Sequence, residues 1–349
     1  FLQFLLVNWA VLSAFENQAT IPQRIVLAFV GIFCSAAFSS CGIEVITKSF
    51  LRAGNSVLVL GWLMTFAGLV PGQLKSSFGW LGLNYRYSGI LDSPNAVGLL
   101  SLFLFVLMVR DRHLNRVWML VPLVSIVGAE YRGGLLAIFG CVIWLAIRAL
   151  IATSPSRALL GYLGVVGLML VSNVVFSSLS VSRSGNGDVT TGRSMIWGQC
   201  MNYINQNGVF GGGPDFIQRV VGFNLSASNR ATGSFQFFHC HNQVLNDIVN
   251  YGYFGMFLSL TLVVATFALA IRRRSVTWQL LAVAVMVAGL LESPLTYLGV
   301  QGDLWSVILL WGGLLALCNE IIVSRESTKP SETKTPNSRL QDAQVTLNA

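Results

Sequence analysis

Apolar residues in this chain come in blocks of about 15–20, close to the length needed to cross ~30 Å of hydrocarbon at 1.5 Å per residue. A soluble core of this size would show alternating or 3.6-periodic segments instead, and no such alternation is present. Read between polar breaks, the blocks predict about ten spans at 1–15, 25–42, 56–74, 94–109, 117–129, 135–151, 158–176, 251–271, 277–291 and 304–318. The fifth is short and needs tilt, local thinning or a re-entrant path. The first begins at Phe1 with no basic stretch before it, so it reads as the remnant of a spanning helix rather than a signal peptide, with further helices expected upstream.

The expected fold is therefore all-α, a polytopic transmembrane bundle. Transmembrane helices 1–7 fall in 1–176, a long extracytoplasmic loop in 177–250, helices 8–10 in 251–318, and a disordered cytoplasmic tail in 319–349. The loop is far longer than ordinary connections and carries Trp197, Phe210, Phe216, Phe235, Phe237 and Phe238, which argues for a functional segment. Within it, Ile196, Trp197, Cys200, Met201 and Ile204 recur at helical spacing and predict a short amphipathic helix in the membrane interface plane.

Composition agrees: of 349 residues 54% are hydrophobic and only 10% charged, against roughly 25% charged in soluble domains. Charge then orients the bundle. One set of alternate loops, with the tail, holds 14 basic residues against six acids, net +8, and the opposite side is neutral. That asymmetry marks the cytoplasmic face. The basic balance thus needs membrane lipids as partners and no nucleic acid.

Six cysteines show no metal-type spacing. Cys200 and Cys240 lie in the long loop, where an oxidising compartment would allow a disulfide; their positions in the chain leave the pairing open. Charges are nearly absent from the span centres, which argues against an ion-coupled transporter. Unusual polar residues gather instead at the external helix ends. They form four clusters: Tyr85–Ile90 with Asp92–Asn95, Glu130–Gly134, Thr191–Trp197 leading to Gly211–Pro214, and His239–Asn242 followed by Gly252 and Gly255.

In this order the clusters resemble the O-antigen ligase/polymerase superfamily, over about residues 84 to 258. The likeness rests on Arg86–Gly89 with Pro94-Asn95, Arg132-Gly133, Gly192-Arg193 with Trp197, Gly211–Gly213, His241-Asn242 and Gly252–Gly255. Tyr131 departs from the pattern, standing where a small hydroxyl residue is common. The resemblance implies a glycosyltransferase of the bacterial inner membrane. Its donor would be an undecaprenyl-diphosphate-linked glycan, and its acceptor a glycan or lipid A–core. It distinguishes neither a polymerase from a ligase nor either from a protein O-oligosaccharyltransferase; a polysaccharide or small-solute transporter is the rival from another class.

The residue types suit that chemistry. The leaving group is a diphosphate, and the planar guanidinium forks of Arg193 and Arg132 grip phosphate oxygens in pairs. Histidine is the residue type suited to proton transfer at working pH, and His241 is the candidate general base. Arg86, Asn95, Trp197, Asp215 and Asn242 are candidate substrate-binding groups. Each has a plainer alternative, the arginines as lipid anchors and His241 as a loop histidine; the external acids Glu130, Asp215, Glu292 and Asp303 read either as ligands of sugar hydroxyls or as simply solvated. His239-x-His241 has no carboxylate or further histidine beside it, so neither metal nor cofactor is expected. The Gly211–Pro214 run lacks the Lys-Ser/Thr of a phosphate loop and reads as a turn.

Overall fold

The computed structural model describes residues 33, 36–37, 41–69, 73–75, 85–91, 93–109, 116–151, 156, 159–164, 167, 193–213, 240–295, 309–310 and 312–319. These are mostly helical. In chain order they form α1 (Ile43–Phe66), β1 (Gln73–Lys75), β2 (Tyr85–Tyr87), α2 (Pro94–Met108), α3 (Leu120–Gly128, entered through a 3-10 turn at Arg116–Met119), α4 (Arg132–Ile151), α5 (Arg193–Asn207), α6 (Gln243–Arg272) and α7 (Val276–Ala288). The two strands make one short antiparallel ladder, Leu74 opposite Arg86, which an all-α expectation lacked.

Local sequence explains several boundaries. Pro94 opens α2, where its missing N–H is harmless and its fixed φ suits the first turn. Asn242 caps α6, its side chain accepting from Leu245 N at 3.1 Å. Pro122 falls in the first turn of α3, where no intrahelical donor is lost.

The core is built around α7, which is buried on every side from Trp278 to Ala288 and packs against α4, α6 and α2. A helix apolar all round belongs in such a position. α2 packs in turn on α1, α3 and α4. The outward faces of α1, α3, α4 and α6 remain apolar: Leu63, Phe66, Val124, Phe139, Val142 and Phe257 are all exposed. In water such a belt would be an aggregation hazard; against lipid it is the expected surface.

Two helices, α4 and α6, are long and apolar enough to cross a membrane. Pro94–Met108, Val117–Gly128 and Val276–Ala288 are apolar but shorter, rising only about 20 Å each. The ten predicted spans are thus reduced to two clear candidates among the described residues. The spans at 1–15, 25–42 and 158–176 lie wholly or largely outside those residues, as does the tail.

Three boundaries differ from expectation. α1 begins at Ile43, so Lys48 and Arg52, placed in a loop by their charge, are helical; Glu44 and Lys48 pair across one turn at 2.6 Å, which lets the helix carry them. The long loop stops short of residue 250, because Gln243–Asn250 already form the first part of α6 ahead of a kink at Gly252. The apolar stripe of α5 meets protein rather than lipid. Ile196, Trp197, Cys200 and Ile204 are buried against Cys240, Leu245, Ile248 and Val249 at the start of α6.

Candidate functional site

The site begins at the turn between α3 and α4. Tyr131 N donates to Ile126 O and Glu130 N to Val127 O, the paired bonds that close a helix through a left-handed residue. That residue is Glu130, with φ +50°, where glycine is usual. Its side chain is buried, and among the described residues no donor reaches Oε1. Tyr131 then wedges between α2 and α4, into space that only Gly98 and Gly134 leave open: a Cβ at either would overlap its ring. This accommodates the bulky residue that departs from the family pattern. Arg132 follows as the first residue of α4, with its side chain exposed.

Arg86 ties the hairpin to this turn. Its Nε donates to Ala129 O at 2.9 Å and its Nη2 to Asn95 Oδ1 at 3.0 Å. Arg86 and Asn95 are therefore brought together, one turn of chain from Arg132, and two of the guanidinium donors are committed to protein. Beside them Tyr87 stacks on Trp62 at 3.8 Å, and burial pushes its phenol up to about 12, so it stays a hydrogen-bond donor.

The second half is assembled at the entry to α6. His241 has a left-handed backbone, φ +49°, a conformation that costs on the order of 1 kcal/mol away from glycine. Its Nδ1 lies 3.0 Å from Glu292 Oε2, and both side chains are mostly buried. A carboxylate only accepts, so the contact places a proton on Nδ1 and directs any proton exchange to Nε2. Glu292 belongs to the segment after α7, which α6 holds by its first two residues' worth of polar groups. Asn242 Nδ2 donates to Leu290 O at 3.2 Å, and Gln243 N to Gly289 O at 2.8 Å. The Gln243 amide clasps Leu295 both ways, at 2.9 and 2.8 Å, and is oriented by a further bond to buried Asp247 at 2.8 Å. Asn242, a candidate substrate ligand, is thus engaged in capping and in holding this segment.

The two halves meet. A Cβ placed on Gly133 would stand 3.5 Å from Glu292 Cγ, so the Arg132 turn abuts the His241–Glu292 pair. α4 and α6 both start here, and their far ends carry Arg148 and Arg272 in the last turns. For the 20 residues of α4 that separation is about 30 Å. The site lies at the end of the bundle opposite those cations.

Arg193 is the first residue of α5. Trp197, one turn on, is buried and donates from Nε1 to Cys240 O at 2.8 Å, so it is a packing and tethering group here. Cys200 and Cys240 are joined by a disulfide, with Cα atoms 6.8 Å apart. Past α5, Gly211 and Gly213 adopt positive φ, forming the expected turn, which docks on the α6 kink: Gly212 N donates to Val249 O at 2.6 Å and Gly213 N to Asn250 O at 3.0 Å. Asp215 and His239 lie outside the described residues.

Sequence reasoning missed the partnership of Glu292 with His241. The residues stand 51 apart, and the available signal was weak: an acid in Glu-Ser-Pro just beyond an apolar block. It also missed the buried Gln243–Asp247 pair, having ended the loop after both.

Comparison with known proteins agrees with the motif reading. Residues 116–260 match the family model described as O-antigen ligase. The matched segment contains Arg132, Arg193 and His241; Arg86, Asn95 and Glu292 fall outside it. The resemblance to the O-antigen ligase/polymerase superfamily is borne out, and with it the inference of a membrane enzyme of glycosyl transfer. No protein of curated function matches the chain.

Proposed function

We propose that the chain transfers a glycan from an undecaprenyl-diphosphate carrier to a hydroxyl of an acceptor glycan or lipid A–core, on the outer face of the bacterial inner membrane. The observation that carries this reading is the His241–Glu292 pair set against the Arg132 turn. His241 Nε2 takes the proton from the acceptor hydroxyl, whose oxygen attacks the anomeric carbon of the donor. The bond from that carbon to the diphosphate breaks, and the leaving oxygen departs with the electron pair. The imidazolium formed is stabilised by Glu292 across the 3.0 Å contact.

Arg132 and Arg193 hold the diphosphate, each at the first position of a helix, where the backbone also favours an anion. Arg86 and Asn95 support the Arg132 turn. The disulfide supports the outward orientation, since such bonds persist in oxidising compartments.

The test uses the purified chain in nanodiscs with a carrier-linked glycan and no ion gradient. His241→Ala is expected to lower turnover by about 10²–10⁴ while donor binding holds. Arg132→Lys and Arg193→Lys should each cost about one to two decades, because lysine keeps the charge and loses the fork. Normal turnover in His241→Ala removes the base; normal turnover in both lysine variants leaves the arginines as lipid anchors.

A further inference from the structure

The residue immediately before His241 is held more tightly than a loop residue needs to be. Cys240 is fully buried; its sulfur is bonded to Cys200, its carbonyl accepts from Trp197 Nε1 at 2.8 Å, and its N–H donates to Asn246 Oδ1 at 3.4 Å. Both partners on the α5 side, Trp197 and Cys200, follow Arg193 by one and two turns on the same helix. Around them Ile196, Ile204, Leu245, Ile248 and Val249 form a small apolar cluster separate from the main core. Twenty-six residues separate Gly213 from Cys240 along the chain; among the described residues α5 meets the entry to α6 through this disulfide, the Trp197–Cys240 hydrogen bond and apolar packing.

We propose that the Cys200–Cys240 disulfide is the positioning crosslink of the site. It fixes the helix that begins with Arg193 against the residue that precedes His241, so that the cation and the imidazole keep one mutual placement, and full turnover requires the oxidised form. This rests on the reading of Arg193 and His241 given above. Reactions of this kind are sensitive to placement: an error of about 1 Å between reacting groups can cost 10²-fold. The left-handed backbone of His241 makes the point sharper, because that conformation persists only while its surroundings hold it.

The bond forms when both thiols lose two electrons and two protons in total to a disulfide-donating protein oxidant of the extracytoplasmic space. One thiolate attacks the mixed disulfide made by the other, and the oxidant leaves as a dithiol. Dithiothreitol reverses it: its thiolate attacks one sulfur, the other leaves as thiolate, and the reagent closes to its cyclic disulfide.

The experiment uses the full chain purified from membranes without reductant, into nanodiscs. Digestion under non-reducing conditions is expected to release one crosslinked peptide pair containing Cys200 and Cys240. Its absence overturns the proposal. Cys200→Ala/Cys240→Ala and the reduced wild type are then compared with the oxidised protein by amide exchange and kinetics. Residues 193–207 should exchange about 10-fold faster in both, kcat should fall about 10-fold or more, and donor KM should rise. A protein that is only less stable would lose active fraction, lowering apparent kcat with KM unchanged. Unchanged exchange together with unchanged kcat and donor KM in the double alanine variant overturns the proposal. If exchange responds as expected while oxidised wild type transfers no glycan, the crosslink stands and the glycan reading falls.

Discussion

Gly252→Ala isolates the geometry on which the second half of the site is hung. Gly252 interrupts α6 with φ +71° and ψ −179°, a region open almost only to glycine. Alanine there costs about 1–3 kcal/mol in backbone strain alone. The added Cβ would also overlap Val209 O and the Phe210 backbone, so the 208–213 segment must move away. That segment is docked by Gly212 N on Val249 O, Gly213 N on Asn250 O and Tyr253 N on Gly208 O. At about 1 kcal/mol net for each bond, undocking brings the total to roughly 5 kcal/mol. Gly68→Ala is the control: its φ is +69°, yet nothing lies within 4 Å of an added Cβ, so strain acts there without overlap. Thermal unfolding followed by tryptophan fluorescence in detergent, with amide exchange of 208–213, checks both. Gly252→Ala should unfold at clearly lower temperature than Gly68→Ala and lose protection of the docked segment. Equal melting of the two variants, with 208–213 still protected, would refute the overlap argument.

Glu292→Gln should keep a hydrogen bond to His241 but lose its charge assistance, lowering kcat about 10-fold with donor KM unchanged, and Glu292→Ala should lose more; steady-state kinetics in nanodiscs decide. Arg86→Lys keeps the cation and cannot serve both Ala129 O and Asn95 Oδ1, so about 1–2 kcal/mol of stability should go, read as a lower unfolding temperature. A cysteine at Ser184 should react with an impermeant thiol reagent from outside, and one at Ser275, beyond the α6 cations, should not; the reverse pattern overturns the orientation.

How much of this was legible in the chain itself depends on the range of the interaction concerned. The apolar blocks announce helices because burying a helix in lipid or protein needs a run of side chains, and a run is a local property. The limits of α2 and α7 were read to within a few residues for that reason. Lys48 and Arg52 misled the reading of α1, since charge was taken as a loop marker while a Glu44–Lys48 pair keeps it on a helix surface. The motif arginines and His241 were legible as residue types suited to a diphosphate and a proton, and their order along the chain matched a family pattern.

What the chain by itself determined, then, is its helical and membrane-bound character, the end of the bundle where polar chemistry collects, and the names of most candidates there. Tertiary structure decided which of them meet. Glu292 faces His241 only because α7 returns antiparallel to α6 and Asn242 and Gln243 hold the segment beyond it. Cys200 joins Cys240 only because α5 lies on the start of α6. Trp197 turns inward to Cys240 O, and Tyr131 is admitted by glycines 33 residues before it and three after it. Each is a contact between segments whose separation along the chain carries no record of distance in space, so no periodicity could have displayed it. A side chain's chemistry is local, whereas its partner is chosen by packing.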